Sequence, residues 1–429
     1  MRILIENVDV LQEDRVISNK NILIEEDKIV EISDKKEFEN IDYRIDGKNK
    51  IAMPGLVNTH THLAMTLFRG YADDLPLKEW LEAKIWPQEA KLQADDVYWG
   101  SLLGLCEMIK SGTIAFGDMY FFMDEVAKAV SESGIKASLS VGMIGIAGDE
   151  NEILNRGVEF ARNWHNKENG RIKVMLAPHA PYTCPPSFLE KVINKAVELN
   201  IGIHTHLSET ALEVENIRNM YGLTPIRLMN RIGLFNVPVL AAHCVFVDDE
   251  EIEILSEKGV GVAHNPQSNL KLASGIAPVK RMLEKKVKVG LGTDGPASNN
   301  NLDMWEEIRL VATLHKGYER DPVAIPAKDA INMATRNGME ILGWNDSGVI
   351  REGYKADLIL VDYNKPHFYP RHNLLSHLVY SAGAFDVDAV IVDGRILMEN
   401  RELKTLDEEK IMYEAEKRAF DLIKKKLGG

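Results

Sequence analysis

The chain has 429 residues, 45% of them hydrophobic, enough for a large core and for either several domains or one large barrel with additions. Lys and Arg number 51 against 65 Asp and Glu, a formal net charge of -14, and that balance argues against non-specific binding to nucleic acid or to anionic membranes. No run approaches the roughly 20 apolar residues of a membrane span, so no membrane partner is expected.

The opening stretch, MRILIENVDVLQEDRV, alternates apolar and polar residues before turning charged. That is the pattern of a strand, not of a basic-then-apolar signal peptide. Residues 1–52 read throughout as short strands with Asp, Gly and Asn between them. From 53 to 346 the texture changes to short apolar runs alternating with longer helical patterns. The candidate strands are 55–62, 113–119, 136–143, 173–179, 202–209, 238–244, 260–266 and 287–294, with helices such as 187–200 and 249–259 between them. Eight such βα units in about 240 residues match the size of a (β/α)8 TIM-like barrel, with a doubly wound sheet as the competing α/β fold. The strand texture returns in ADLILVDY (356–363) and VDAVIVDGRILMEN (387–400). Segments 1–52 and 347–402 are therefore expected to combine into one small β-sandwich domain interrupted by the barrel. Residues 403–429 close the chain with an amphipathic helix, roughly 406–427, whose mixed charges read as a solvated face. Three cysteines, Cys106, Cys184 and Cys244, form no CxxC, an odd and sparse count that fits the reducing cytoplasm. Cys106 reads as core filler on a helix.

The strand ends favour the barrel. Nearly every run closes on a residue able to do chemistry: His60 and His62, Asp118, His179, His206 and Glu209, His243, His264, and Asp294. In a barrel these ends converge on one mouth, where active sites are built. His60 and His62 lie two apart on a strand, so their imidazoles point the same way, and a shared metal ion explains the pair. His206 supplies a natural third ligand, with His204 competing for the role, and Asp294 adds a carboxylate. This set suits one divalent ion, zinc by preference with Fe(II) as the alternative. Such an ion brings the pKa of bound water towards neutrality. Glu209, three residues beyond His206, sits where a general acid/base would stand without ligating, and His243 comes from the next strand. Asn299 to Asn301 read as caps for the following helix.

Taken together, PGLVNTHTH after a β-rich leader, HTHLSE, AAHC, GTDG and the returning EGYKADLILVD resemble the amidohydrolase superfamily over almost the whole chain. THLAMTLFRGYADDLPLKEWLEAKIWPQEA, MLAPHAPYTC, HTHLSET and HNPQSNLKLASGIAPV are similar to the 5'-methylthioadenosine/S-adenosylhomocysteine deaminases within it. The resemblance implies a mononuclear metal barrel with a composite β domain, and hydrolytic deamination of 5'-substituted adenosines to inosine analogues with release of ammonia. It implies metal ligands His60, His62, His206 and Asp294. Glu209 would be the acid/base that protonates adenine N1, His243 would orient the hydroxide, and Asp294 would also shuttle a proton. Glu89 would hold the ribose hydroxyls and His179 would contact the purine, so the substrate-binding set is Glu89, His179, Glu209 and Asp294. Trp86 and Phe68 are either pocket wall or core.

No strand end offers the lysine that bridges two metals in other subtypes, and the H-x-E…P-C-x-x-C pattern of the zinc cytidine deaminases is missing. One departure stands out. Members that favour S-adenosylhomocysteine are expected to present arginine to its carboxylate, from the loop that reads GIAGDENEILNRG here. That loop is acidic, and Arg156 is its nearest candidate. The rivals are guanine or cytosine deamination and triazine hydrolysis on the same scaffold, or a non-enzymatic binding scaffold. The small-molecule nucleoside is the expected partner, and the sequence leaves a homo-oligomer open.

Overall fold

The computed structural model describes residues 1–35 and 37–424. Both chain ends share one nine-stranded sheet. Its strands are β1 (Arg2–Gln12), β2 (Arg15–Glu25), β3 (Lys28–Ser33), β4 (Tyr43–Asp46) and β5 (Lys50–Pro54) from the first end. The barrel contributes β6 (Leu56–Thr61), β7 (Thr113–Tyr120), β8 (Lys136–Met143), β9 (Ile172–Val174), β10 (Ala177–Pro178), β11 (Ile203–Leu207), β12 (Val239–His243), β13 (Gly261–His264) and β14 (Lys288–Leu291). The last four, β15 (Leu358–Asp362), β16 (Val387–Val392), β17 (Arg395–Glu399) and β18 (Glu402–Leu403), return to the first sheet in the order β18-β17-β16-β15-β5-β1-β2-β3, with β4 on β1. The two ends join where β15 pairs antiparallel with β5, Leu360 opposite Ala52.

Alternation along these strands explains the layering. Ile3, Ile5, Ile22, Ile24, Leu358 and Leu360 close a core of the sheet's own, shared with Ile29 and Ile391 from its far strands. The interleaved Ile51, Met53, Ile359 and Val361 belong to the main core and pack the sheet onto the barrel. The composite β domain expected from the two chain ends is thus present as one nine-stranded sheet with a core of its own.

The barrel wall is parallel throughout, as two ladders, β6-β7-β8 with β9 and β10 on β8, and β11-β12-β13-β14. The ladders meet where Leu176 N donates to Gly202 O (3.0 Å) and His206 N donates to His179 O (2.9 Å). They meet again where Asp294 N donates to His60 O at 3.0 Å. That second seam is tight: a Cβ on Gly292 would lie 2.9 Å from the His60 backbone N, so the approach requires glycine. The fourth predicted strand is broken into β9 and β10, because Leu176 between them leaves β8 and bridges to Ile203 instead.

The helices follow local sequence rules. Pro186–Leu199 opens with Pro at its first position, stops at the left-handed Asn200, and buries Phe188, Leu189, Val192, Ile193 and Ala196 along one face. Cys106 is buried on Ala94–Lys110, as expected for core filler. The final helix runs over Glu408–Lys424, and the expected residues beyond 424 lie outside the described residues. Among the described residues no helix is long and apolar enough to cross a membrane.

One buried ion pair ties the barrel to the sheet. Lys136, at the start of β8 and 1% exposed, donates to Asp357 and, at 2.7 Å, to Asp393. Breaking a buried pair strands its partners without a counter-charge, at a cost of about 3–5 kcal/mol. Lys136→Met is therefore expected to lower the thermal midpoint by several degrees, read by calorimetry, with the metal site intact.

Candidate active site

The mouth of the barrel gathers six imidazoles. His60 lies on β6 and His62 just after it, His179 follows β10, His204 and His206 lie on β11, and His243 ends β12. Burial lowers the pKa of His60 to about 4 and drives those of His204 and His206 well below the ordinary value.

Each candidate ligand is oriented through its Nδ1. His62 Nδ1 donates to Met119 O at 2.6 Å and His206 Nδ1 donates to His179 O at 2.8 Å. His60 Nδ1 meets His204 Nε2 at 2.8 Å. The His204 nitrogen is thereby committed behind His60, which leaves His206 as the third ligand candidate. These bonds leave the Nε2 lone pairs facing inward, the arrangement that imidazole ligands take.

Asp294, after β14, completes the cluster. Its Oδ1 lies 3.4 Å from His60 Nε2 and 3.3 Å from His62 Nε2. Its Oδ2 faces the hydroxyls of Ser268 (2.6 Å) and Ser298 (3.0 Å). His60, His62 and His206 offer atoms within 4.8 Å of one another, as do His60, His243 and Asp294. His60 Nε2 is fully buried and has no hydrogen-bond partner. Asp294 overcomes the burial that lowers the His62 pKa and raises it to about 9, so the carboxylate draws positive charge to this cluster. An orphaned inward lone pair, convergent donors and a carboxylate that demands a cation fit one divalent metal ion.

Two strand ends here are in the left-handed region, His243 at φ +73° and Asp294 at +62°. Non-glycine residues rarely enter it, and such strain gathers at functional sites, where it aims side chains.

Glu209 lines the same pocket, 7% exposed, with its Oε2 3.8 Å from His243 Nε2. Burial raises its pKa above the ordinary carboxylate value. His243 Nδ1 donates to Asn269 Oδ1 at 2.8 Å, which presents its Nε2 as an acceptor. His179 Nδ1 meets Thr183 Oγ1 at 3.0 Å, and since that hydroxyl donates to Ala180 O, the His179 Nε2 is also an acceptor.

The covering segment Leu77–Glu89 is a short helix with a wide π-type turn at Trp80–Ile85. It brings Leu77, Trp80, Leu81, Trp86 and Glu89 to the pocket. Glu89 is half-buried beside Tyr120 rather than on an open surface, and burial pushes its carboxyl up. Phe68, by contrast, is fully buried core. Arg156 lies outside this pocket. It lines an adjoining cavity that shares Phe121, Gly142 and Ile144 with the active pocket.

Two strand-end residues do other work. Asp118 accepts Leu63 N at 2.8 Å and so fixes the turn that follows His62. His264 pairs with His315 at 3.3 Å, away from the pocket lining. Residues that sequence reasoning passed over are Ser268, Ser298, Asn269 and Glu213, all buried supports of the groups above. HNPQSNLK contains two of them, but their spacing carries no mark of what they touch.

The Amidohydrolase family model matches residues 51–397. A 5-methylthioadenosine/S-adenosylhomocysteine deaminase of Dictyoglomus turgidum is 84% identical over 426 residues, covering 99% of this chain and 100% of the relative. A zinc-bound adenosine deaminase structure from Xanthomonas campestris superposes with a TM-score of 0.95 at 34% identity, covering 98% of each chain. Atrazine chlorohydrolase of Arthrobacter aurescens TC1, complexed with zinc, gives 0.91 at 26% identity over 97% of this chain and 100% of its own. The chain belongs to the amidohydrolase family and, within it, to the 5-methylthioadenosine/S-adenosylhomocysteine deaminases.

Proposed function

We propose that this protein hydrolytically deaminates 5'-substituted adenosines, using one divalent ion, zinc, held by His60, His62, His206 and Asp294. The observation that carries the reading is one pocket with a buried acid, Glu209, beside the imidazole cluster and a second carboxylate, Glu89, on the covering segment. The ion, when bound, acts as a Lewis acid that makes water nucleophilic at neutral pH.

The side chains do the rest. His243 Nε2 accepts a hydrogen bond from the attacking water and holds it in line with purine C6. Glu209 delivers a proton to N1 as the water oxygen bonds to C6, so the ring takes up the electron pair. Asp294, steadied by the two seryl hydroxyls, passes the water's proton to the 6-amino group. The C6–N bond then breaks, ammonia leaves with the bonding pair, and the C6 oxygen becomes a carbonyl by giving its remaining proton to Glu209, while N1 keeps its proton as in the inosine product. The amino group is a poor leaving group, so these two protonations carry much of the barrier reduction. His179 Nε2 contacts the purine and Glu89 reads the ribose. Three buried cysteines support a cytoplasmic site of action.

A hydrogen bond to a charged group contributes about 1.5–3 kcal/mol, so Glu89→Ala should lower kcat/KM for adenosine by about 10–100-fold. The gap between adenosine and 2',3'-dideoxyadenosine should collapse in that variant. The reading itself is tested by rates on S-adenosylhomocysteine, methylthioadenosine, 5'-deoxyadenosine, adenosine and adenine with zinc-loaded enzyme. Turnover of the nucleosides well above adenine supports it; no turnover of any of them overturns it.

A further inference from the structure

The turn that carries Glu209 is held by a buried carboxylate that the reaction does not use. β11 stops at Leu207, and Ser208 takes φ +53°, a left-handed conformation that costs a non-glycine residue free energy. Both N–H groups of this turn point to Glu213. Ser208 N donates to its Oε1 at 2.9 Å and Glu209 N donates to its Oε2 at 2.8 Å. Glu213 is itself anchored in the first turn of the helix Ala211–Tyr221, where its N–H donates to Thr210 Oγ1 at 3.1 Å.

Glu213 is 4% exposed and forms no salt bridge with the described lysines or arginines. A buried carboxylate without a counter-ion is a costly way to satisfy two N–H groups that a neutral side chain or water would serve. What it adds is geometry. One bond per oxygen fixes both peptide planes, and these two N–H groups favour the ionised carboxyl against the burial that raises its pKa to about 7. Those two planes set the direction of the Glu209 side chain.

From this arrangement we infer that Glu213 is a positioning residue for the acid/base: its two-point grip on the Ser208–Glu209 backbone keeps the Glu209 carboxyl aimed at purine N1. The inference rests on the deaminase reading above and assigns Glu213 no contact with substrate or metal.

The test is a double-mutant cycle with two readouts that do not depend on chemistry. Glu213→Gln keeps the volume but turns an amide NH2 towards one N–H. It should lower kcat by about 10–100-fold with KM within twofold, the metal content unchanged, and calorimetric binding of inosine within twofold. Glu213→Asp, which reaches one N–H, should fall between. In the Glu209→Gln background the Glu213→Gln change should add less than twofold, measured in single turnovers at high enzyme. The proposal is overturned if the two losses multiply, or if Glu213→Gln and Glu213→Asp lose metal or product binding in step with rate. If wild-type enzyme binds metal but turns over no adenosine derivative, the deaminase reading fails first and takes this role with it. Losses that multiply, with wild type active, overturn only the role of Glu213.

Discussion

Glu209→Gln is expected to lower kcat by about 10²–10⁴-fold, the range in which a positioned acid/base contributes, while the purified protein keeps its full metal content. The substitution preserves volume and leaves the Ser208 and Glu209 N–H bonds to Glu213 untouched. What it removes is a group that can hold a proton and give it up. Glu209 belongs to neither cluster of atoms that converge for an ion, and its nearest imidazole contact is the 3.8 Å approach to His243 Nε2. The metal and the acid are thus separable by mutation although they share one pocket. Metal analysis alongside kinetics checks this: a near-wild-type rate removes Glu209 from the mechanism, and a parallel loss of metal makes it a ligand.

The barrel was legible because its signal is repeated. All eight predicted strands appear within a few residues of their expected bounds, and the run 136–143 coincides with β8. The one irregular strand, β9 with β10, breaks where Leu176 changes partner, a choice made by the neighbour across the seam and not by its own alternation. In the site, His60 and His62 were legible because a two-residue spacing fixes a shared face. The competition between His204 and His206 was not, since both lie on that same face of β11. Only the contact of His204 Nε2 with His60 Nδ1 separates them. Glu89 had no local signal at all. It reads as a glutamate on a short helix, and its place in the pocket depends on how the covering segment lies over the mouth. Glu213 and Asn269 were invisible for the same reason: a buried polar group declares itself by its partners, and those are set by tertiary contact.

Removing the ion is expected to have the largest effect of all, a loss of at least about 10⁴-fold in turnover, since an ion of this kind shifts water from a pKa of 15.7 to about 7. Nothing else in the pocket replaces that shift. Asp294 draws the His62 pKa up to about 9, but a proton held between them offers no open coordination position. The chelated protein should also melt earlier. Ligand held at 100 times its Kd stabilises by about 2.7 kcal/mol, which for a chain of this size corresponds to about 3 °C in Tm, and tighter binding widens the gap. His206→Ala should reproduce both effects in the presence of excess zinc, because it removes one of three convergent imidazoles. It leaves His60 and His62 oriented by His204 and Met119. Readdition of zinc should restore rate and Tm together in the wild type and neither in His206→Ala. A chelated enzyme that kept its rate, or a His206→Ala variant with full zinc and full activity, would dismiss the ligand set; recovery of Tm without rate would keep the site and dismiss its part in the chemistry.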